Sequence, residues 1–134
     1  MVVWKVFSGM YVEYNPNPLY KRVEDCAVRA VSKALNVDWD TAFDLLTEVA
    51  KKIADLQNSN LTIDILLRSN GFKREILPNE CPFCYTAEDF AKEHDYGIYV
   101  LGFGDHVATI IDGDIYDSWD SSSMTPLYFY RKES

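Results

Sequence analysis

The chain contains no apolar run approaching the roughly 18 residues that a bilayer-spanning helix needs, and Met1-Val2-Val3-Trp4-Lys5 lacks the basic region and long apolar core of a secretory signal. A cytoplasmic protein is the expectation. Cysteine is scarce: three residues, an odd number, cannot make a complete disulfide framework, so thiols, metal ligands or reactive groups are expected. Positive charge is also short, with 13 Lys and Arg against 21 Asp and Glu, a formal charge of -8 and a pI near 4.6. The summed field repels phosphates, which argues against general affinity for nucleic acid or an anionic membrane and suits a basic or neutral partner better. An EF-hand loop is missing too, so Asp112, Asp114, Asp117 and Asp120 read as an acidic solvated face rather than a calcium site.

What is present suits a folded chain. Hydrophobic residues make up 48% and aromatic residues 14%, with nine Tyr, and 134 residues fit one domain spanning 1–134 with a core of its own. Val2 to Phe7 and Met10 to Tyr14, with a Ser8-Gly9 break, read as a bent strand or small hairpin, and Asn15-Pro16-Asn17-Pro18 ends it. Apolar spacing predicts a helix over Cys26–Leu35 capped by Asp25 or Glu24. A longer one follows from about Trp39 to Leu56, capped by Asp38 or Asp40, with Phe43, Leu46, Ala50 and Ile53 along one stripe. A third helix is expected from Thr62 to Asn70, stopping at Gly71, and a fourth from Thr86 with a capping box to Asp89. Strands are expected at 72–77, 98–103, 106–111, 115–117 and 127–130. Tyr128-Phe129-Tyr130 then belongs to a terminal strand, not a base-stacking platform. The fold class is α+β, a helical first half packed on a mainly antiparallel second half.

Three short stretches carry chemistry. A helix beginning at Cys26 places its sulfur among free first-turn N–H groups and the positive end of the helix dipole, which favour a thiolate. Glu24 and Asp25 oppose this unless they point away or pair with Lys21, Arg22 or Arg29; Arg29 suits Asp25 at i,i+4 spacing or a buried ion pair. Asp112-Gly113 is a two-residue hairpin turn; pairing Ile111 with Asp114 sets Ala108 opposite Asp117 and His106 opposite Trp119. His106 and Asp117 then share a face as diagonal neighbours, roughly 7–8 Å apart at the backbone. A register slip would substitute Asp120, the second-choice orienting group. Cys26 as nucleophile, His106 as base and Asp117 as orienter form a Cys-His-Asp constellation for acyl transfer through a thioester, needing no cofactor or metal.

In order and placement, Asp25-Cys26, Asp105-His106 and Asp117-Ser118-Trp119 resemble the papain-like cysteine peptidases. There the nucleophile heads a helix in a helical half, and the His and its Asn or Asp partner come from the antiparallel sheet. Asp117-Ser118-Trp119 is similar to the family's Asn-Ser-Trp, with Asp as in the related bacteriocin-leader peptidases. The chain also resembles small proteins of bacterial prophage-type gene sets. The resemblance implies a papain-like fold, cysteine-peptidase or isopeptidase activity, and a Trp119 that shields the His–Asp pair. The family's upstream Gln, an oxyanion donor, is replaced here by Tyr20 beside Leu19. Asn17, Asn15 or the Tyr20 hydroxyl could supply that contact, with the Cys26 backbone N–H as the other donor. The Gly-Ser-Cys-Trp context of papain is replaced by Asp25-Cys26-Ala27-Val28.

Two other readings compete. A non-catalytic interaction domain could use the same scaffold, with Cys26 and His106 as packing residues. Cys81-Pro82-Phe83-Cys84 is similar to the redox pair of glutaredoxins, although no cis-Pro segment follows it. The same two thiols could instead hold zinc, with His94 the nearest further ligand.

Overall fold

The structure, a computed structural model, describes residues 10–78 and 84–133. The expected strand at 2–7, its Ser8-Gly9 break, and Cys81 lie outside the described residues. The fold is α+β, with four helices and one six-stranded sheet among the described residues, in strand order β1-β5-β4-β3-β6-β2. The strands are β1 (Met10–Glu13), β2 (Phe72–Ile76), β3 (Ile98–Gly102), β4 (Val107–Ile111), β5 (Asp114–Asp117) and β6 (Tyr128–Lys132).

The β4–β5 hairpin has the expected register, with Ile111 opposite Asp114 and Thr109 opposite Tyr116. Asp112 and Gly113 both adopt positive φ, 50° and 81°, as a mirror-image turn requires. The sheet is not wholly antiparallel: β1 runs parallel to β5 at the edge, Met10 facing Asp114 and Glu13 facing Asp117. No tight turn joins these two strands, so no local signal sets their direction.

Helix α1 (Cys26–Leu35) begins where expected, but Asp25 at its N-cap makes no side-chain capping bond, because its carboxylate turns inward to Arg29 and Trp39. Helix α2 (Trp39–Ile53) is capped by Asp38, whose Oδ1 accepts from the Thr41 N–H at 2.8 Å. It stops short of Leu56 at a left-handed Ala54, and Ala42, Leu46 and Ala50 form its buried stripe; Phe43 is on the flank, stacked on Trp39 at 5.1 Å. Helix α3 (Asn60–Ser69) starts two residues before the expected Thr62, because Ser59 supplies the cap. Helix α4 (Ala87–Glu93) carries the expected Thr86/Asp89 capping box.

Both faces of the sheet are covered. Helices α1, α2 and α3 pack over Phe72, Val100, Val107, Tyr128 and Tyr130, while α4 packs over Leu101, Ala108, Ile110, Ile115 and Phe129. Successive residues of β3 and β6 therefore enter different cores, which is why Tyr128, Phe129 and Tyr130 are all buried in the terminal strand. Each large side chain so buried contributes about 1.5–3 kcal/mol. Thr109 anchors α1 to the sheet by donating its hydroxyl to the Ala30 carbonyl at 2.7 Å. No helix among the described residues is long and apolar enough to cross a membrane.

Candidate active site

The β3–β4 turn, Phe103-Gly104-Asp105-His106, is closed by the Phe103 N–H donating to the His106 carbonyl at 2.8 Å, with Gly104 at φ +99°. It presents His106 at the head of β4, beside the start of α1 and the end of β5. His106 Nε2–H donates to Asp117 Oδ2 at 2.7 Å, and both side chains are buried. Cys26, at the head of α1, lines the same cleft as His106, and the imidazole and the Val107 backbone N–H both act on its thiol.

Asp117 is held as an anion on every side. Its Oδ1 accepts from Arg29 Nη2 at 2.9 Å, Arg29 Nε at 3.2 Å and the Ser118 N–H at 2.8 Å, and its Oδ2 accepts from Ser121 Oγ at 2.7 Å as well as from His106. Burial pushes its carboxyl up, but the His106 bond and charge, the Ser121 bond and the Arg29 charge outweigh that and lower it below the usual range. Burial disfavours the His106 cation; the bonds to Asp117 and Cys26 and their charges prevail and raise it to about 9. Burial likewise pushes the Cys26 thiol up, yet the bonds from His106 and Val107 and the charges of His106 and Arg29 bring it below the ordinary value.

The acidic neighbours of Cys26 do not oppose it as the sequence suggested they might. Asp25 is buried, ion-paired with Arg29 Nη1 and accepting from Trp39 Nε1 at 2.9 Å, while Glu24 is exposed. Arg29 thus fulfils both expectations, i,i+4 partner of Asp25 and buried ion pair, and it ties α1 to the carboxylate that orients His106. Arg22 adds an outer tie, donating to the Ser118 carbonyl at 2.7 Å and pairing with Glu13.

A cleft of about 730 Å³ opens over this group, with Cys26, His106, Trp119, Asn58 and Glu24 in its lining. Trp119 lies 4.7 Å from the His106 ring, centroid to centroid, and is 43% exposed, so it covers one side of the imidazole. Asp120, the second-choice orienter, is exposed and accepts from the Ser122 N–H. Asn17 does not line the cleft: it is buried, and its Oδ1 accepts from the Leu19 and Lys21 N–H groups, shaping the loop before α1. Asn15 donates to the Lys21 carbonyl, and Tyr20 is 83% exposed outside the cleft lining.

Sequence reasoning missed Ser121, Asn58 and Trp39. A Ser among Ser121-Ser122-Ser123 and an Asn in a loop carry no distinguishing local pattern. His94 packs as an aromatic ring, stacked 3.8 Å from Phe90, and its Nδ1 bonds the Phe90 carbonyl. No group of three His, Cys, Asp or Glu among the described residues could hold a metal ion. Cys81 lies outside the described residues; among them Cys26 is the free thiol and Cys84 is disulfide-bonded. Comparison of the chain with protein-family profiles, curated proteins and solved structures finds no match.

Proposed function

We propose that this chain is a papain-like thiol hydrolase that cleaves or transfers an amide or isopeptide bond of a protein or peptide. The observation that carries the reading is the bonded His106–Asp117 pair in one solvent-open cleft with Cys26 at the head of α1. A thiol held below its ordinary value beside an imidazole raised to about 9 favours a thiolate–imidazolium pair. The thiolate attacks the carbonyl carbon, forming the C–S bond, and the oxyanion meets the Cys26 N–H, which has no intrahelical acceptor in the first turn. Asn58, not Asn17, is the side-chain amide that the cleft offers as a second donor.

His106 Nδ1–H then gives its proton to the leaving amine as the C–N bond breaks. Water deprotonated by the same nitrogen attacks the thioester, releasing the acid and returning the thiolate–imidazolium pair. Asp117, locked by five donors, fixes the ring and stabilises its charge throughout.

The test is alkylation of the folded protein by iodoacetamide across pH, with the modified cysteine mapped. Cys26 should label rapidly below about pH 7, where an unperturbed thiol titrating near 8.5 is mostly protonated, and His106→Ala should abolish that acid-side reactivity. Cys26 labelling that only follows an ordinary thiol titration would refute the proposal.

A further inference from the structure

Outside the cleft, a recess of about 390 Å³ lies between α3 and the β2–β6 edge of the sheet, lined by Arg68, Arg74, Asp64, Leu61, Tyr128 and Tyr130 among others. The two tyrosines occupy the same face of β6, but only one is satisfied. The Tyr130 hydroxyl donates to Asp64 Oδ1 at 2.6 Å, whereas the Tyr128 hydroxyl has no hydrogen-bond partner among the described residues although the residue is only 8% exposed. The Tyr128 hydroxyl is not sealed inside the core, so an acceptor entering the recess can reach it.

The Tyr128 ring is pinned. It lies across Gly102, where a Cβ would sit 2.0 Å from its Cζ, and the Arg74 guanidinium covers it at 4.3 Å from the centroid. Charge in the recess is unbalanced. Arg68 Nε reaches both Asp64 oxygens at 3.0 Å and neutralises that carboxylate. Half-buried Arg74 forms no ion pair among the described residues, since its neighbour Glu75 pairs with Arg131. One surplus guanidinium and one free hydroxyl donor therefore face a recess on a chain of net charge -8.

We propose that this recess binds the carboxylate of an acidic side chain, the guanidinium of Arg74 and the hydroxyl of Tyr128 donating to its oxygens. A planar guanidinium fork matches a carboxylate, and a single surplus positive charge matches a monoanion. Leu61, 54% exposed at the rim, and the tyrosine rings suit the aliphatic stem that carries it. Asn60 of the recess bonds the Gly104 carbonyl at 3.4 Å, two residues before His106, so the recess and the cleft flank one contact. A peptide crossing that contact places an acidic residue in the recess and an amide at Cys26. This last use rests on the hydrolase reading; the carboxylate site does not.

The experiment is an NMR titration of the wild-type protein with N-acetylglutamate methylamide, following the Arg74 Nε–H and Tyr128 ring signals. Its glutamine analogue and inorganic phosphate are run in parallel. Saturable shifts with the glutamate compound are expected, weakened about tenfold or more by the glutamine analogue and by Arg74→Gln, as loss of a charge-assisted bidentate contact predicts. Tyr128→Phe, which removes only the hydroxyl, should weaken binding several-fold. Equal response to glutamine, undiminished binding in Arg74→Gln, or response to phosphate alone would overturn the proposal. Iodoacetamide labelling of Cys26 on the same sample reports the hydrolase reading separately.

Discussion

Replacing Arg29 by Met tests the electrostatic frame that joins helix to sheet. The guanidinium side chain is 4% exposed and sits between Asp25, 6% exposed, and Asp117, 0% exposed. Asp25, Arg29, Asp117 and the His106 cation form a buried quartet of zero net charge. Met keeps much of the aliphatic volume, so the change removes a cation and leaves two carboxylates facing each other inside the protein. Breaking a buried pair by removing one partner costs about 3–5 kcal/mol. His106, Ser121 and the Ser118 N–H still hold Asp117, and Trp39 still holds Asp25, so the lower part of that range is expected at pH 7.

Against a total stability of about 5–15 kcal/mol, the variant should remain folded but be visibly weakened in urea, read by tryptophan fluorescence. The sign with pH separates charge from packing. Without the guanidinium, the Asp117 carboxyl of the folded state rises toward its unfolded value, so the stability it draws from being held low is already missing, and the deficit against wild type narrows as pH falls from about 5 to 3. Arg29→Lys, which keeps the charge but loses the fork, should fall between the two. A deficit below about 1 kcal/mol at pH 7, or one that stays constant from about pH 5 to 3, would refute the reasoning.

Asp117→Asn removes the carboxylate charge and replaces its charge-assisted bond to the His106 cation by a weaker one, so an NMR titration should show the imidazole falling from about 9 toward its ordinary 6.5; retention near 9 would contradict the assigned cause. At about 1.4 kcal/mol per unit, the full fall corresponds to roughly 3–4 kcal/mol, an upper bound because Cys26 also contributes. The same variant should slow Cys26 alkylation at pH 6–7 by about tenfold or more, since each unit lost by the imidazole reduces the ion-paired population up to tenfold. Gly102→Ala places a Cβ 2.0 Å from Tyr128 Cζ, and the displaced ring should cost about 1–3 kcal/mol in urea unfolding and weaken glutamate binding in the recess. Thr86→Ala removes the hydroxyl that caps α4 and should cost about 0.5–2 kcal/mol by thermal or chemical melting.

The His106–Asp117 pair was legible because it depends on a turn whose chemistry is local. Asp112-Gly113 accepts positive φ at both positions, that sets the register, and the register sets which residues are diagonal neighbours. The start of α1 at Cys26 and the Thr86/Asp89 box were legible for the same reason, as interactions within one turn of helix. Helix ends were less so: α2 stops at a left-handed Ala54, a residue with no C-cap preference that would announce it.

Hydrophobic periodicity and two-residue turn chemistry by themselves determined the α+β class, the hairpin register and a cysteine at a helix head. Only the tertiary structure decided that Asp25 turns away from Cys26, that Arg29 reaches Asp117 across 88 positions, that Ser121 completes that carboxylate, and that β1 lies parallel to β5. It also placed Asn58 rather than Asn17 at the cleft and set the Arg74 guanidinium over the Tyr128 ring. Backbone preferences act over a few residues and are written in neighbouring side chains. The direction a buried charge takes depends on which opposite charge the packing of helix on sheet brings within hydrogen-bonding distance.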